Sequence, residues 1–141
     1  MTLYAEPSAI LAWLLDEARG AAARQALAEA GRVVTSELAL IECDRALLRF
    51  IAADVMTPTE ATEARARLTA TMRPWNVMSI SPSVVDRARQ PFPLDSLRAL
   101  DAIHLASAVV ARVSVGDLDV LSLDGRIREN AAALGFRVRP A

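Results

Sequence analysis

Four acidic residues stand where their side chains could hold a metal ion. Glu6 and Asp124 each come directly after a largely apolar run that is typical of a buried strand. Glu42 and Asp101 fall on predicted helices, and each has an apolar residue four positions before it and four after it, so both should face inward. An ionised carboxylate on a buried face is unfavourable unless it is paired, and several together repel one another. A divalent cation would relieve both effects.

The residue types at these positions favour a hard cation and one kind of chemistry. Oxygen ligands without histidine or cysteine favour Mg²⁺ or Mn²⁺ over zinc. Such an ion can activate water, neutralise a phosphate and stabilise a leaving oxygen, which suits the hydrolysis of a phosphodiester bond. Each acid alone could equally be a helix cap or the partner of an arginine. The sequence favours a metal site because all four acids are predicted to meet at one edge of a sheet.

The elements that would position these acids alternate between strands and helices. This alternation predicts a parallel sheet with helices on both of its faces. Ligands of such sheets bind beyond the carboxyl ends of the strands, which is where Glu6 and Asp124 are predicted to lie. Ser8, Ser36 and Asp95 are predicted to cap three of the helices. Predicted strands span 2–6, 32–35, 77–81, 119–123 and 136–139, and predicted helices span 8–16, 19–30, 36–54, 57–73, 82–90, 96–112 and 125–134.

Length and composition narrow the class of protein further. A chain of 141 residues with 53% hydrophobic residues can bury the core of one domain. The formal net charge is −1, so any contact with phosphate must come from local patches, such as Arg98 and Arg126, which could equally be solvated helix charges. Cys43 is the single cysteine, which excludes an intrachain disulfide and a zinc site built mainly from thiolates. With no apolar run of membrane-spanning length and no signal-like N-terminus, we expect a cytoplasmic protein with no membrane partner.

Each of the four acids lies in a short segment with a distinctive sequence. These segments are LYAEPSAI at 3–10, TSELALIE at 35–42, LRALDAIHLA at 97–106 and VLSLD at 120–124. In their order and separation they resemble the PIN-domain family, and in particular the VapC-type toxins of bacterial toxin–antitoxin pairs. The similarity extends over nearly the whole chain.

This resemblance implies a fold, an activity and a set of partners. The implied fold is a PIN-like three-layer α/β/α sandwich with a mostly parallel sheet of four to five strands, in a single domain over residues 1–141. The implied activity is that of an endoribonuclease with one or two Mg²⁺ or Mn²⁺ ions. The implied partners are an RNA substrate, a cognate antitoxin that neutralises the toxin, and a second copy of the chain in a homodimer. The implied metal ligands and catalytic residues are Glu6, Glu42, Asp101 and Asp124.

The first segment departs from the family pattern. It contains Glu6 followed by Pro7, where aspartate followed by threonine or serine is commoner. Glutamate carries the same charge on a longer arm, so we expect it still to bind the metal, whereas proline removes a backbone N–H from the site. Ser8 and Ser122 are interpreted as groups that orient Glu6 and Asp124.

Two further features have a plainer interpretation. His104, the only histidine, lies in mid-helix between Ile103 and Leu105 and is interpreted as a packed or capping residue without a catalytic role. The apolar face of the first helix is a surface that an antitoxin helix could cover. That face consists of Leu11, Leu14 and Leu15 beside Trp13.

Three other functions are alternatives to the nuclease. A receiver-like switch needs an aspartate at the end of the third strand and a later lysine, whereas this strand ends Ser79-Ile80-Ser81 and the chain has no lysine. A nucleotide-binding fold needs glycines spaced as in a phosphate loop, which are absent from this sequence. A PIN-like module that binds RNA or a protein partner with weak or lost catalysis stays open, because the Glu6-Pro7 pair is compatible with it.

Overall fold

A five-stranded parallel sheet flanked by helices forms the described part of the chain, residues 1–94 and 97–141 of a computed structural model. The strand order is β3-β2-β1-β4-β5, and every pairing is parallel. The predicted α/β class with helices on both faces of the sheet is confirmed. The strands are β1 (Thr2–Ala5), β2 (Arg32–Ser36), β3 (Asn76–Met78), β4 (Asp119–Leu121) and β5 (Val138–Arg139). The helices are α1 (Pro7–Leu14), α2 (Gly20–Glu29), α3 (Glu37–Ala52), α4 (Pro58–Met72), α5 (Pro82–Ala88), α6 (Ala99–Val115) and α7 (Gly125–Ala133).

The strands are apolar because both faces of the sheet are covered. Side chains alternate between the faces along each strand. In β1, Leu3 and Ala5 pack on the face covered by α1 to α4, whereas Tyr4 packs on the face covered by α5 to α7. The sheet therefore separates the two helical layers.

Three strands end at the same edge, and a helix begins just beyond each of them. The register pairs Tyr4 with both Val34 and Val120, so the carboxyl ends of β1, β2 and β4 lie side by side. Helix α3 follows β2 with Ser36 as its N-cap, as predicted. Helices α1 and α7 are instead capped by Glu6 and Asp124, two of the four acids. This edge is therefore where the sequence places its candidate site.

Several predicted boundaries are wrong by a few residues. Helix α1 begins at Pro7 with Glu6 as its cap, and not after Ser8, because proline suits the first helical position, where no N–H is needed. Strand β4 ends at Leu121, so Asp124 lies three residues beyond the strand. Helix α6 begins at Ala99, and the predicted cap Asp95 and helix start at residue 96 lie outside the described residues. None of the helices in the described residues combines the length and apolarity needed to cross a membrane.

Candidate metal centre

Glu6 is the most buried of the four acids, with only 6% of its surface exposed. One carboxylate oxygen, Oε2, accepts hydrogen bonds from the backbone N–H of Ser8 (3.2 Å), from the Ser8 hydroxyl and from the Ser122 hydroxyl (2.8 Å). The other oxygen, Oε1, receives no hydrogen bond from the described residues. Every fully buried side-chain oxygen or nitrogen of these residues has a hydrogen-bond partner. Because Oε1 has none, it must be in contact with solvent. Glu6 is thus anchored through one oxygen and free to bind a cation through the other.

The two serines connect Glu6 to the segment that carries Asp124. The Ser8 hydroxyl accepts a hydrogen bond from the backbone N–H of Leu123 (2.9 Å), and the Ser122 hydroxyl accepts one from the backbone N–H of Asp124 (3.1 Å). Both hydroxyls therefore bridge the start of α1 and the connection between β4 and α7. Both contact the Glu6 carboxylate, whereas Asp124 is held through its backbone.

Glu42 lies beside Glu6 in the same helical layer, and His104 approaches both from the opposite layer. It lies on α3 with 24% of its side chain exposed, and its Oε2 is 2.9 Å from Nε2 of His104 on α6. One possible ligand atom from each of Glu6, Glu42 and His104 lies within 4.8 Å of the others. Among the described residues, this is the one group of three or more acidic, histidine or cysteine side chains gathered so closely.

Burial sets the electrostatics of this group. Burial raises the pKa of the Glu6 carboxyl, and the hydrogen bonds from Ser8 and Ser122 only partly oppose that rise. Burial also raises the pKa of the Tyr4 phenol, so this group stays protonated. Its oxygen lies 3.0 Å from Nδ1 of His104. A cation beside Glu6 would offset the unfavourable burial of its charge.

Asp101 and Asp124 form a second pair beside the first. They line an open groove of about 350 Å³ together with Arg98, Gly125 and Arg126. Asp101 lies in the first turn of α6, not in the second turn as the sequence predicts, because the helix starts at Ala99. Asp124 caps α7, with Oδ1 accepting a hydrogen bond from the N–H of Ile127 (3.1 Å), which leaves Oδ2 outside the cap.

The structure therefore brings the four predicted acids together as two neighbouring pairs. Ser122 links the pairs on one side, because it contacts both the Glu6 carboxylate and the Asp124 backbone. Helix α6 links them on the other side, because Asp101 and His104 are one turn apart. The described residues show no cluster in which all four carboxylates lie within 4.8 Å.

His104 is the member of this arrangement that sequence analysis missed. The side chain is packed, as predicted, with 2% of its surface exposed, but it also reaches Glu42 across the edge of the sheet. The signal available in the sequence is its position three residues after Asp101, which places both side chains on one face of the helix.

The residues present fit a hard divalent cation. Glu6 presents a solvent-accessible oxygen, Glu42 has one oxygen that does not contact His104, and two further carboxylates line the adjacent groove. Carboxylate oxygens are the ligands that Mg²⁺ and Mn²⁺ favour.

Known proteins match the chain over most of its length. The family model described as "PIN domain" matches residues 4–133. The ribonuclease VapC46 of Mycobacterium tuberculosis is 32% identical over 136 residues, which cover 96% of this chain and 95% of that protein. A chain of a toxin–antitoxin complex from Klebsiella pneumoniae has a TM-score of 0.65 at 23% identity, covering 100% of this chain and 98% of that chain. The sarcin–ricin loop cleaving toxin VapC20 of M. tuberculosis has a TM-score of 0.64 at 20% identity, covering 95% of each chain.

Proposed function

Because the chain belongs to the PIN-domain family, we propose that it is an Mg²⁺- or Mn²⁺-dependent endoribonuclease that hydrolyses phosphodiester bonds of cellular RNA in the cytoplasm. The observation that carries the proposal is the pair Glu6 and Glu42, whose ligand atoms lie within 4.8 Å at the carboxyl edge of the sheet, beside a groove lined by two more acids. A VapC ribonuclease related over 96% of this chain supports the choice of RNA as substrate.

Each side chain of the site has a part in this chemistry. When bound, the cation supplies a Lewis acid for the phosphate and lowers the pKa of a water molecule. Glu6 and Glu42 would hold the cation, and Asp101 and Asp124 would complete its ligands and orient the water. Ser8 and Ser122 keep the Glu6 carboxylate in place. At the groove, the guanidinium groups of Arg98 and Arg126 would bind the phosphates of the RNA.

The substitution Asp101→Asn tests the proposal. It removes one negative charge from the groove without changing the size of the side chain, so metal-dependent cleavage should be abolished while the fold is retained. Cleavage of purified RNA is followed with Mg²⁺, with Mn²⁺ and with EDTA, and circular dichroism checks folding. The matched control is Asp86→Asn, an exposed aspartate of α5, which should cleave like the wild type. Cleavage that persists in Asp101→Asn, or in EDTA, contradicts the proposal.

We also propose that a cognate antitoxin neutralises the enzyme, since toxin–antitoxin complexes are among its structural relatives. An apolar cleft of about 470 Å³ opens between α1, α3 and α4, with an acidic rim that suits an amphipathic helix carrying basic residues. Leu14 and Leu15, from the apolar face predicted for this partner, line the cleft. All four residues of that face also belong to or pack against the core beneath it, and Leu14 is only 2% exposed. The other lining residues are Asp16, Glu17, Phe50, Val55, Met56, Glu60, Glu63, Ala64 and Arg67. Light scattering would test the proposed homodimer and its complex with the product of a neighbouring reading frame.

The alternative of a binding module without catalysis depends on Glu6-Pro7. Pro7 lies at the first position of α1, where a backbone N–H would have no helical partner. A proline at this position therefore removes no hydrogen bond from the helix. Glu6 receives its donors from Ser8 and Ser122 instead. These contacts support the enzyme over the binding module. Calorimetry with Mn²⁺ and a cleavage assay would separate them, because a binding module would bind RNA without metal-dependent cleavage.

A further inference from the structure

Tyr4 and His104 form a buried chain of hydrogen bonds that ends on Glu42. The Tyr4 hydroxyl is 3.0 Å from Nδ1 of His104, and Nε2 of the same ring is 2.9 Å from Oε2 of Glu42. Tyr4 and His104 are almost fully buried, on β1 and α6, whereas Glu42 is partly exposed on α3. The chain therefore connects the sheet and both helical layers to one carboxylate of the site.

The chemistry of the groups fixes the direction of both hydrogen bonds. An ionised carboxylate can only accept, so Nε2 of His104 must carry the proton and donate it to Glu42. When the ring is neutral, Nδ1 is then an acceptor, and the Tyr4 hydroxyl donates to it. In this form the three groups satisfy one another.

This arrangement determines which atoms remain for a cation. Nε2 cannot bind a metal while it holds the proton shared with Glu42, and Nδ1 is occupied by Tyr4. Oε2 of Glu42 is engaged by His104, so Oε1 is the oxygen left free of that contact. Without His104, the partly exposed side chain of Glu42 could rotate towards water, because glutamate has several rotatable bonds.

We propose that His104, oriented by Tyr4, is a positioning residue that holds the carboxylate of Glu42 beside Glu6 and does not itself bind the cation. The proposal rests on the proposed function, since it assigns a role within the same metal site. Groups that orient a metal ligand through a hydrogen bond typically change metal affinity by about 10- to 100-fold when they are removed.

Nuclear magnetic resonance tests the arrangement directly, because His104 is the only histidine of the chain and its ring nitrogens are assigned without ambiguity. In ¹⁵N-labelled protein we expect the proton on Nε2, both without metal and with saturating Mg²⁺. A proton on Nδ1 in the metal-free protein would overturn the proposal. Loss of the Nε2 proton when Mg²⁺ binds would also overturn it, because His104 would then be a ligand. In Tyr4→Phe the proton should stay on Nε2, because the Glu42 carboxylate still requires a donor there.

Calorimetric titration with Mg²⁺ tests the consequence for affinity. His104→Leu should weaken Mg²⁺ binding by about 10- to 100-fold. His104→Gln should recover much of that loss, because its side-chain amide can donate to Glu42 from a similar position. Val84→Ala is the control. It removes buried methyl groups, but no polar group, from the core cluster that contains Tyr4, so the affinity of this variant for Mg²⁺ should not change. Unchanged affinity in folded His104→Leu would refute the positioning role.

Two further results keep this inference separate from the proposed function. If His104→Leu does not fold, Tyr4→Phe removes only the hydroxyl group that orients the ring, and an unchanged Mg²⁺ affinity in that variant would count against the proposal. Neither measurement requires RNA cleavage. A wild-type chain that binds Mg²⁺ with His104 in the expected form but cleaves no RNA would refute the nuclease and leave the role of His104 intact.

Discussion

Replacing Glu6 by glutamine should stabilise the metal-free protein while it removes metal binding. The substitution keeps the shape of the side chain, and the amide oxygen can still accept hydrogen bonds from Ser8 and Ser122. What disappears is a buried negative charge that is grouped, within 4.8 Å, with a second acidic side chain, Glu42. A residue selected for stability alone would not carry this charge.

The distance between the two carboxylates sets the size of the effect. With two unit charges placed at 4.8 Å, the upper limit for the separation of the two ligand atoms, the repulsion is about 3.5 kcal/mol at an effective dielectric constant of 20 and about 0.9 kcal/mol in bulk water. Glu42 is 24% exposed, so the true repulsion lies between these limits. Part of the gain is offset because hydrogen bonds to a neutral amide are weaker than those to a carboxylate. We expect a net gain of about 1–2 kcal/mol in the free energy of unfolding. For a chain of this size, each kcal/mol raises the Tm by roughly 4 °C.

The gain should depend on pH in a defined direction. Burial raises the pKa of Glu6 above its ordinary value of 4.5. The stability that this group contributes is therefore fully present below the pKa of the unfolded chain, and it is lost as the pH rises through the raised pKa of the folded state. The advantage of Glu6→Gln over the wild type should thus be small at acidic pH and largest at neutral and alkaline pH.

Urea and thermal unfolding in EDTA, at pH 5 and at pH 8, would measure the difference. Added Mg²⁺ should then raise the Tm of the wild type and leave that of Glu6→Gln nearly unchanged. Glu129→Gln is the control, since it removes the same charge from an exposed position on α7. If Glu6→Gln is less stable than the wild type in EDTA at pH 8, the buried charge is not unfavourable and the electrostatic account of the site is wrong.

Three other outcomes are expected. A Cβ at Gly20 would lie 2.2 Å from the carbonyl oxygen of Ala12 and 2.7 Å from its carbon, so Gly20→Ala should lower the free energy of unfolding by about 1–3 kcal/mol in urea, and an unchanged value would contradict the close contact of α1 and α2. The double variant Arg98→Gln with Arg126→Gln should raise KM for RNA and lower the salt dependence of RNA binding. Arg73→Gln, an exposed change at the end of α4, should change neither quantity. If the double variant and Arg73→Gln had equal effects, a specific role for the groove would be excluded. Cys43 is 1% exposed and burial raises the pKa of its thiol to about 12, so iodoacetamide should modify it only on unfolding, and rapid modification of the native chain would count against this packing.

Local chemistry was enough to predict most of the fold. Ser36 caps α3, as predicted, by accepting a hydrogen bond from the N–H of Leu38, two residues along the chain. The alternation of apolar runs and amphipathic segments predicts the parallel sheet from equally local information, because strands and helices each show the spacing of apolar residues that is typical of their own type. These signals need no knowledge of distant residues.

The end of β4 could not be predicted in this way. Leu123 extends the apolar run, so the sequence predicts a strand to that residue. Strand β1 ends at Ala5, which pairs with Leu121, and the N–H of Glu6 donates to the carbonyl of Leu121 as the last bond between these two strands. On the other side of β4, the N–H of Ser122 donates to the carbonyl of Arg139, after which residues 123–124 leave the sheet and lead into α7. The length of a strand depends on its neighbour, which a local pattern does not contain.

The role of His104 was hidden for a related reason. Its partner Glu42 is 62 residues away, in the helical layer on the other face of the sheet. Sequence spacing places His104 beside Asp101, but it gives no indication that the end of the sheet brings α3 and α6 within hydrogen-bonding distance. The packed environment was predictable, whereas the polar contact required the tertiary structure.

One carboxylate couples the stability of the fold to the state of the site. Glu6 caps α1, receives the hydroxyl that also holds the backbone of Asp124, and lies beside Glu42. A cation that binds there neutralises a charge that is unfavourable in the folded chain, so metal binding and folding must be linked. Glutamate can serve in place of the commoner aspartate because its Oε2 alone accepts from the Ser8 N–H and the Ser122 hydroxyl, which leaves Oε1 without a hydrogen bond from the described residues.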